Sequence, residues 1–168
     1  MKGFIIKISD FLYECFKIFD ILLLGILAIL TFSGVVARYI FNNPIVWNYE
    51  ITLILFSWLI FSGVSVAFKT GENIRIDLFN PKSKKIKKTC AIIGNIATIL
   101  FLLFTIKEGI NIVKNTWHQQ YNTIVLSTAW FYLPLPLCGS VSLIHFIASY
   151  AKGENPLITK ITTNKEEA

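Results

Sequence analysis

IFDILLLGILAILTFSGVVA, from Ile18 to Ala37, is an unbroken apolar run whose only ionisable side chain is Asp20, close to its start. A hydrocarbon core about 30 Å thick takes about 20 mostly apolar helical residues to cross. Three further stretches meet that requirement: Trp47 to Phe68, Thr89 to Val113, and Trp130 to Tyr150. Helix is the expected form, because lipid offers backbone N–H and C=O groups no outside partner. The alternation of a barrel strand is absent. The reading is an all-α integral membrane protein with four transmembrane helices. A cleaved signal peptide is the alternative for the first run. Asp10 and Glu14 precede that run and no small-x-small cleavage site follows it, which favours a retained span.

Composition agrees. The chain has 168 residues, 54% of them hydrophobic and 15% charged, with mean hydropathy +0.61. A soluble domain carries roughly 25% charge, so an ordinary soluble enzyme, a disordered chain and a disulfide scaffold are excluded. Cys15, Cys90 and Cys138 lie far apart with no CxxC spacing, so neither a disulfide framework nor a metal knuckle is expected. Residues 1–152 form one expected membrane domain, and 153–168 read as a solvated tail.

Charge gives the orientation. Lys69, Arg75, Lys82, Lys84, Lys85, Lys87 and Lys88 crowd the loop between the second and third spans. Lys2, Lys7 and Lys17 precede the first span, and Lys152, Lys160 and Lys165 follow the fourth. The remaining two loops hold only Arg38, Lys107 and Lys114. Cytoplasmic loops carry the excess of Lys and Arg, so both termini and the central loop are expected in the cytoplasm. The net charge of +6 is then a matter of topology and membrane lipids, with no nucleic acid implied. Tyr39, Phe41, Trp47 and Tyr49 would belt the outer ends of the first two spans, and Trp117, Tyr121, Trp130 and Tyr132 those of the last two.

Two segments extend the spans. Phe4, Ile8, Phe11 or Leu12, Cys15 and Phe19 recur at helical spacing among polar residues. They suggest an amphipathic helix over about 3–16 lying in the cytoplasmic interface, or else an extension of the first span. Beyond Ile106, the stripe Ile110, Val113 and Trp117 continues the third helix. That helix would outlast the bilayer and must tilt or project.

Catalytic chemistry is not evident. The middles of the four expected spans hold no Asp, Glu, Lys or Arg, with Asp20 and Glu50 placed near span ends. His145 is the one imidazole inside a span, and a helix–helix hydrogen bond is its expected use. There is no HExxH, nucleophile elbow or Gly-rich phosphate loop, so no catalytic residue, cofactor or metal site is assigned. Pro134 and Pro136 interrupt only the outer third of the fourth span, as a first-turn proline and a kink. The physical reading is a scaffolding subunit, with a free-standing, self-oligomerising four-span protein as the alternative. A haem or quinone enzyme is disfavoured by the missing histidine pairs.

One run of motifs goes further. RYIFNNPIVWNYE, Arg38 to Glu50, is followed by Ser57-Trp58, Phe61-Ser62-Gly63 and GENIRIDLF from Gly71 to Phe79. STAWFYLPLPLCGS follows from Ser127 to Ser140. Together they resemble the small four-helix membrane subunit of tripartite ATP-independent periplasmic (TRAP) transporters. Arg38 and Tyr39 match its Arg-Tyr pair, and Trp47 and Glu50 its Trp-x-Glu-Glu, with Tyr49 in place of the first Glu. Trp58 and Gly63 match the second span. Asp77 closes the Gly-x-His-Ile-x-x-Asp motif, in which Asn73 replaces His, and Pro136 falls in the proline-bearing fourth span. The resemblance implies a large multi-span subunit holding sodium and substrate sites, and a soluble periplasmic substrate-binding protein. The cargo implied is a small organic anion, such as a C4-dicarboxylate or sialic acid.

Four expectations follow for the structure. Arg38 and Glu50 pair across the first outer loop. Gly63 with Ala67, and Ala91, Gly94 and Thr98, give small-residue faces for close helix approach. Lys107 and Lys114, seven residues apart, share a helix face that docks the binding protein.

Overall fold

The computed structural model describes residues 2–70 and 84–151. The chain runs α1 (Lys2–Tyr39), α2 (Asn48–Thr70), α3 (Lys84–Thr116), α4 (Ala129–Tyr132) and α5 (Pro134–Ala151). Four stretches are long and apolar enough to span a bilayer: Ile5–Tyr39, Asn48–Thr70, Ile92–Thr116 and Ala129–Ser149. Each overlaps one of the four expected stretches, with ends a few residues apart except at the first. The central loop, with Asp77, and the tail lie outside the described residues.

The first span is longer than expected. No proline interrupts Lys2–Tyr39, and the 38 residues form one helix of about 57 Å at 1.5 Å per residue. The separate amphipathic helix expected over 3–16 is therefore its continuous N-terminal part. That part packs on its neighbours: Ser9 is fully buried against α5. Asp20 also changes place. Expected near a span end, it falls near the middle of Ile5–Tyr39.

Local chemistry sets the helix ends. Asn42 takes a left-handed conformation, φ 49°, which asparagine tolerates better than most residues. It turns the chain out of α1 while the Asn43 N–H still reaches the Ala37 carbonyl at 3.1 Å. Asn48 then ties the new helix to the old, donating to the Leu30 carbonyl at 3.0 Å. Gly34 makes the room, because a Cβ there would collide with the Asn48 amide. In the fourth span, the Leu133 N–H closes α4 on the Ala129 carbonyl at 2.9 Å. Pro134, which has no N–H to donate, opens α5.

α5 is the hub. It packs on α1, α2 and α3, whereas among the described residues α3 touches only α4 and α5. The arrangement is a hairpin of α1 and α2 on one side of α5, with α3 on the other. The outward faces are apolar: Ile29, Phe32, Phe101 and Phe104 are each exposed in the single chain, as lipid-facing or partner-facing surfaces must be.

Candidate functional site

The seam between α5 and the α1–α2 hairpin is polar. On α2, Ser62, Ser65 and Lys69 share a face at i, i+3 and i+7; on α5, Cys138, Ser142 and His145 do so at i, i+4 and i+7. Ser9, Ser62, Ser65, Ser142 and His145 are all buried. Near the N-terminal end of α1, the Lys69 ammonium reaches Asp10 at 2.5 Å and Ser9 Oγ at 2.7 Å. Ser9 Oγ lies 2.8 Å from His145 Nδ1. Ser9 Oγ accepts from the ammonium and still has its own proton to offer Nδ1. His145 Nε2 has no hydrogen-bond partner among the described residues, nor has Ser65 Oγ. The helix–helix hydrogen bond expected of His145 is present.

Further along, Ser62 donates to the Asp20 carboxylate. An ionisable group inside a membrane span is costly unless it is partnered, and here α2 supplies the partner. Phe19 meets Trp58 edge to face at 6.1 Å. Trp58 Nε1 donates to the Trp130 carbonyl at 3.1 Å, and Ser57 Oγ to the Phe131 carbonyl at 2.6 Å. These carbonyls stand just before Pro134, which offers no N–H to take up the Trp130 carbonyl in the usual i+4 bond. Side chains of α2 therefore satisfy backbone groups at the interruption.

At the other end of the hairpin, Glu50 is buried and caps a loop. Its carboxylate accepts from the N–H groups of Asn122, Thr123 and Ile124 at 3.1–3.2 Å and from the Thr123 hydroxyl. The loop closes on itself through the isolated antiparallel bridge Gln120–Ser127. Burial holds the Tyr121 phenol above its ordinary pKa, helped by the charges of Tyr132 and Glu50. The expected Arg38–Glu50 pair is not formed. Three consecutive N–H groups fit a carboxylate more completely than one guanidinium on a neighbouring helix end. Arg38 instead lies exposed with its guanidinium 5.7 Å from the Tyr39 ring centre.

The α3 side of α5 is held differently. A Cβ on Gly109 would come within 2.9 Å of Pro136 Cδ, and one on Gly139 within 3.2 Å of Ile106 Cγ1. These glycines, with Pro136, allow the close approach that had been expected at Gly63. A Cβ on Gly63 would meet nothing within 4 Å, so neither it nor half-buried Ala67 marks tight packing within the chain. Gly94 lies in α3, its carbonyl accepting from Thr98 Oγ1 at 2.9 Å. Tyr39 and Trp47 are exposed at the hairpin end. Lys107 and Lys114 are both exposed on α3, but only Lys114 borders the groove between α3 and α5.

Sequence reasoning missed the Asp20–Ser62 contact, the Ser9–Lys69 link and Gly109. The repeated serines at helical spacing were a readable signal for the first two. Gly109 gave none, because its neighbours looked like a projecting helix. Among the described residues no cluster of His, Cys, Asp and Glu is built to hold a metal ion, and Cys15 and Cys138 are free thiols.

Residues 27–154 match the family model described as tripartite ATP-independent periplasmic transporters, DctQ component. The C4-dicarboxylate TRAP transporter small permease protein DctQ of Vibrio cholerae is 26% identical over 131 residues, covering 76% of this chain and 51% of that protein. The chain thus spans about half of that relative. A putative TRAP transporter small permease protein of Haemophilus influenzae is 26% identical over 128 residues, covering 76% of this chain and 78% of that one. The sialic acid TRAP transporter permease protein SiaT of Haemophilus influenzae is 25% identical over 116 residues, 68% of this chain but 19% of its own length. With its four apolar spans, this multi-pass inner-membrane chain belongs to the DctQ family of TRAP transporter components.

Proposed function

We propose that this chain is the small membrane subunit of a sodium-coupled transporter importing an organic anion of the C4-dicarboxylate or sialic acid class. In this reading it joins a large multi-span membrane subunit and a soluble periplasmic binding protein, with both termini cytoplasmic. Its role is to extend the fixed frame against which the large subunit moves. The carrying observation is the family match over residues 27–154, which takes in α2 to α5 entirely. Similarity to a stretch making up 19% of the longer SiaT permease supports a large-subunit partner. A static role is supported by the partners of two acids: Asp20 is engaged by Ser62 and Glu50 by the outer loop, so both serve the chain's own architecture.

Mild-detergent purification of the tagged chain should bring down a larger membrane permease. Liposomes holding both subunits, sodium and the binding protein should take up the anion, and those lacking this chain should not. Recovery of the chain without any larger partner would defeat the proposal. For orientation, Asn115→Cys should react with an impermeant maleimide in whole cells and Ser83→Cys should not, in a background free of native thiols.

A further inference from the structure

Between the distal half of α3 and the start of α5 lies an open groove of about 670 Å³, within the roughly 300–1,000 Å³ that small-molecule sites occupy. Its lining is ordered along the bundle axis. Ile106, Ile110 and Val113 from α3 face Leu133 and Leu137 across an apolar trough. Lys114, Trp117 and His118 stand at the mouth beyond them, and no acidic side chain takes part. Depth is set by packing: the close approach of Gly109 to Pro136 and of Gly139 to Ile106 puts the trough beside the first half of the Ala129–Ser149 span. Lys114, about five residues and 7.5 Å beyond Gly109 along α3, is then level with Trp130 to Tyr132, whose aromatic rings suit the headgroup boundary.

We infer that this groove binds one membrane phospholipid, with an acyl chain in the Ile106–Val113 trough and the phosphate on Lys114. Trp117 and His118, which line the same groove, carry ring N–H donors for the same headgroup. A purely apolar trough would suit a partner helix equally well. The cationic, donor-rich mouth at the end nearest the headgroups distinguishes a lipid, which is apolar at one end and anionic at the other. An anionic glycerophospholipid is favoured over a zwitterionic one because nothing acidic lines the site. This assigns Lys114 to lipid and leaves exposed Lys107 available to a protein partner. It depends on neither the proposed transport activity nor the orientation, since anionic lipid is available in both leaflets.

The test uses the full chain in detergent, titrated with phosphatidylglycerol or phosphatidylethanolamine and read by native mass spectrometry. Phosphatidylglycerol should remain bound at lower concentration. Lys114→Glu should weaken it about two- to fivefold, the range an exposed ion pair supports, while Lys107→Glu should not. Because Lys114 is exposed, that variant leaves the core intact. A phosphatidylglycerol bearing a photoreactive tail should label peptides containing Ile106–Val113 and Leu133–Leu137 in the wild-type chain. Equal binding of both lipids to wild type and Lys114→Glu, or labelling spread evenly over α1 and α3, would overturn the inference. So would a Leu137→Cys variant that cross-links to a helix of the large subunit in the assembled complex while excluding the lipid probe.

Discussion

The two sides of α5 solve one problem by opposite means. Lipid gives helices no hydrophobic reason to associate, so each contact needs another source of attraction. Facing α1 and α2, the answer is polar: Ser9 of α1 meets His145 of α5, and Ser57 and Trp58 of α2 donate to carbonyls of α4, which leads into it, while Ser62 on Asp20 ties the hairpin together. Facing α3, it is shape: Gly109 and Gly139 remove side chains so that Pro136 and Ile106 can close in. A hydrogen-bonded seam tolerates some change of volume but not loss of a partner, and a close-packed seam does the reverse.

The largest break should come from Gly109→Leu. A bulky side chain would strike Pro136 and Leu135, and overpacking of this kind costs about 1–3 kcal/mol. Since α3 has no contact besides α4 and α5 among the described residues, the helix should detach. Melting in detergent should fall by several degrees and Cys pairs across α3 and α5 should stop cross-linking. Gly63→Leu, facing open space, should melt as wild type when the chain is alone. Equal damage from both changes would refute the assignment of the close-packed seam.

Glu50→Gln should come next. The neutral amide offers one acceptor oxygen where the carboxylate offered two, and charge-assisted bonds are the stronger kind. Amide exchange at Asn122, Thr123 and Ile124 should quicken while α2 stays protected. The reciprocal exchange Arg38→Glu with Glu50→Arg should not recover that protection; recovery would reinstate the ion pair expected from the sequence.

Ser9→Ala sharpens the polar side. Interhelical hydrogen bonds in membranes average about 0.6 kcal/mol and reach about 1.7. This one should lie toward the upper end, because its loss leaves both nitrogens of His145 without a partner. A double-mutant cycle with His145→Leu would measure the coupling, and strict additivity would mean the contact contributes nothing. Asp10→Asn should have the smallest effect, about 0–1 kcal/mol, since Asp10 is 53% exposed. Its effect should shrink further as salt is raised.

Much of this was legible in the chain itself. Runs such as Ile18–Ala37 announce spans because length and apolarity are intrinsic to a segment, and Pro134 was readable as a first-turn proline, which in the structure opens α5. The motif order around Arg38, Glu50 and Trp58 pointed to the family. Pairings were harder to read. Arg38 and Glu50 sit at facing helix ends with opposite charges, which makes an ion pair the obvious reading. The loop that takes Glu50 instead comes from 72 to 74 residues further on.

The sequence by itself determined that four helices cross a membrane, roughly where each begins and ends apart from the start of the first, and to which family they belong, because local composition decides whether a segment leaves water. Tertiary structure alone decided that α5 is the hub, that α3 meets neither α1 nor α2 among the described residues, and that Gly109 rather than Gly63 is the close contact. Which face of an apolar helix turns inward is barely encoded when lipid and protein interior are equally apolar. It is settled by the few polar side chains and glycines that find partners across the bundle.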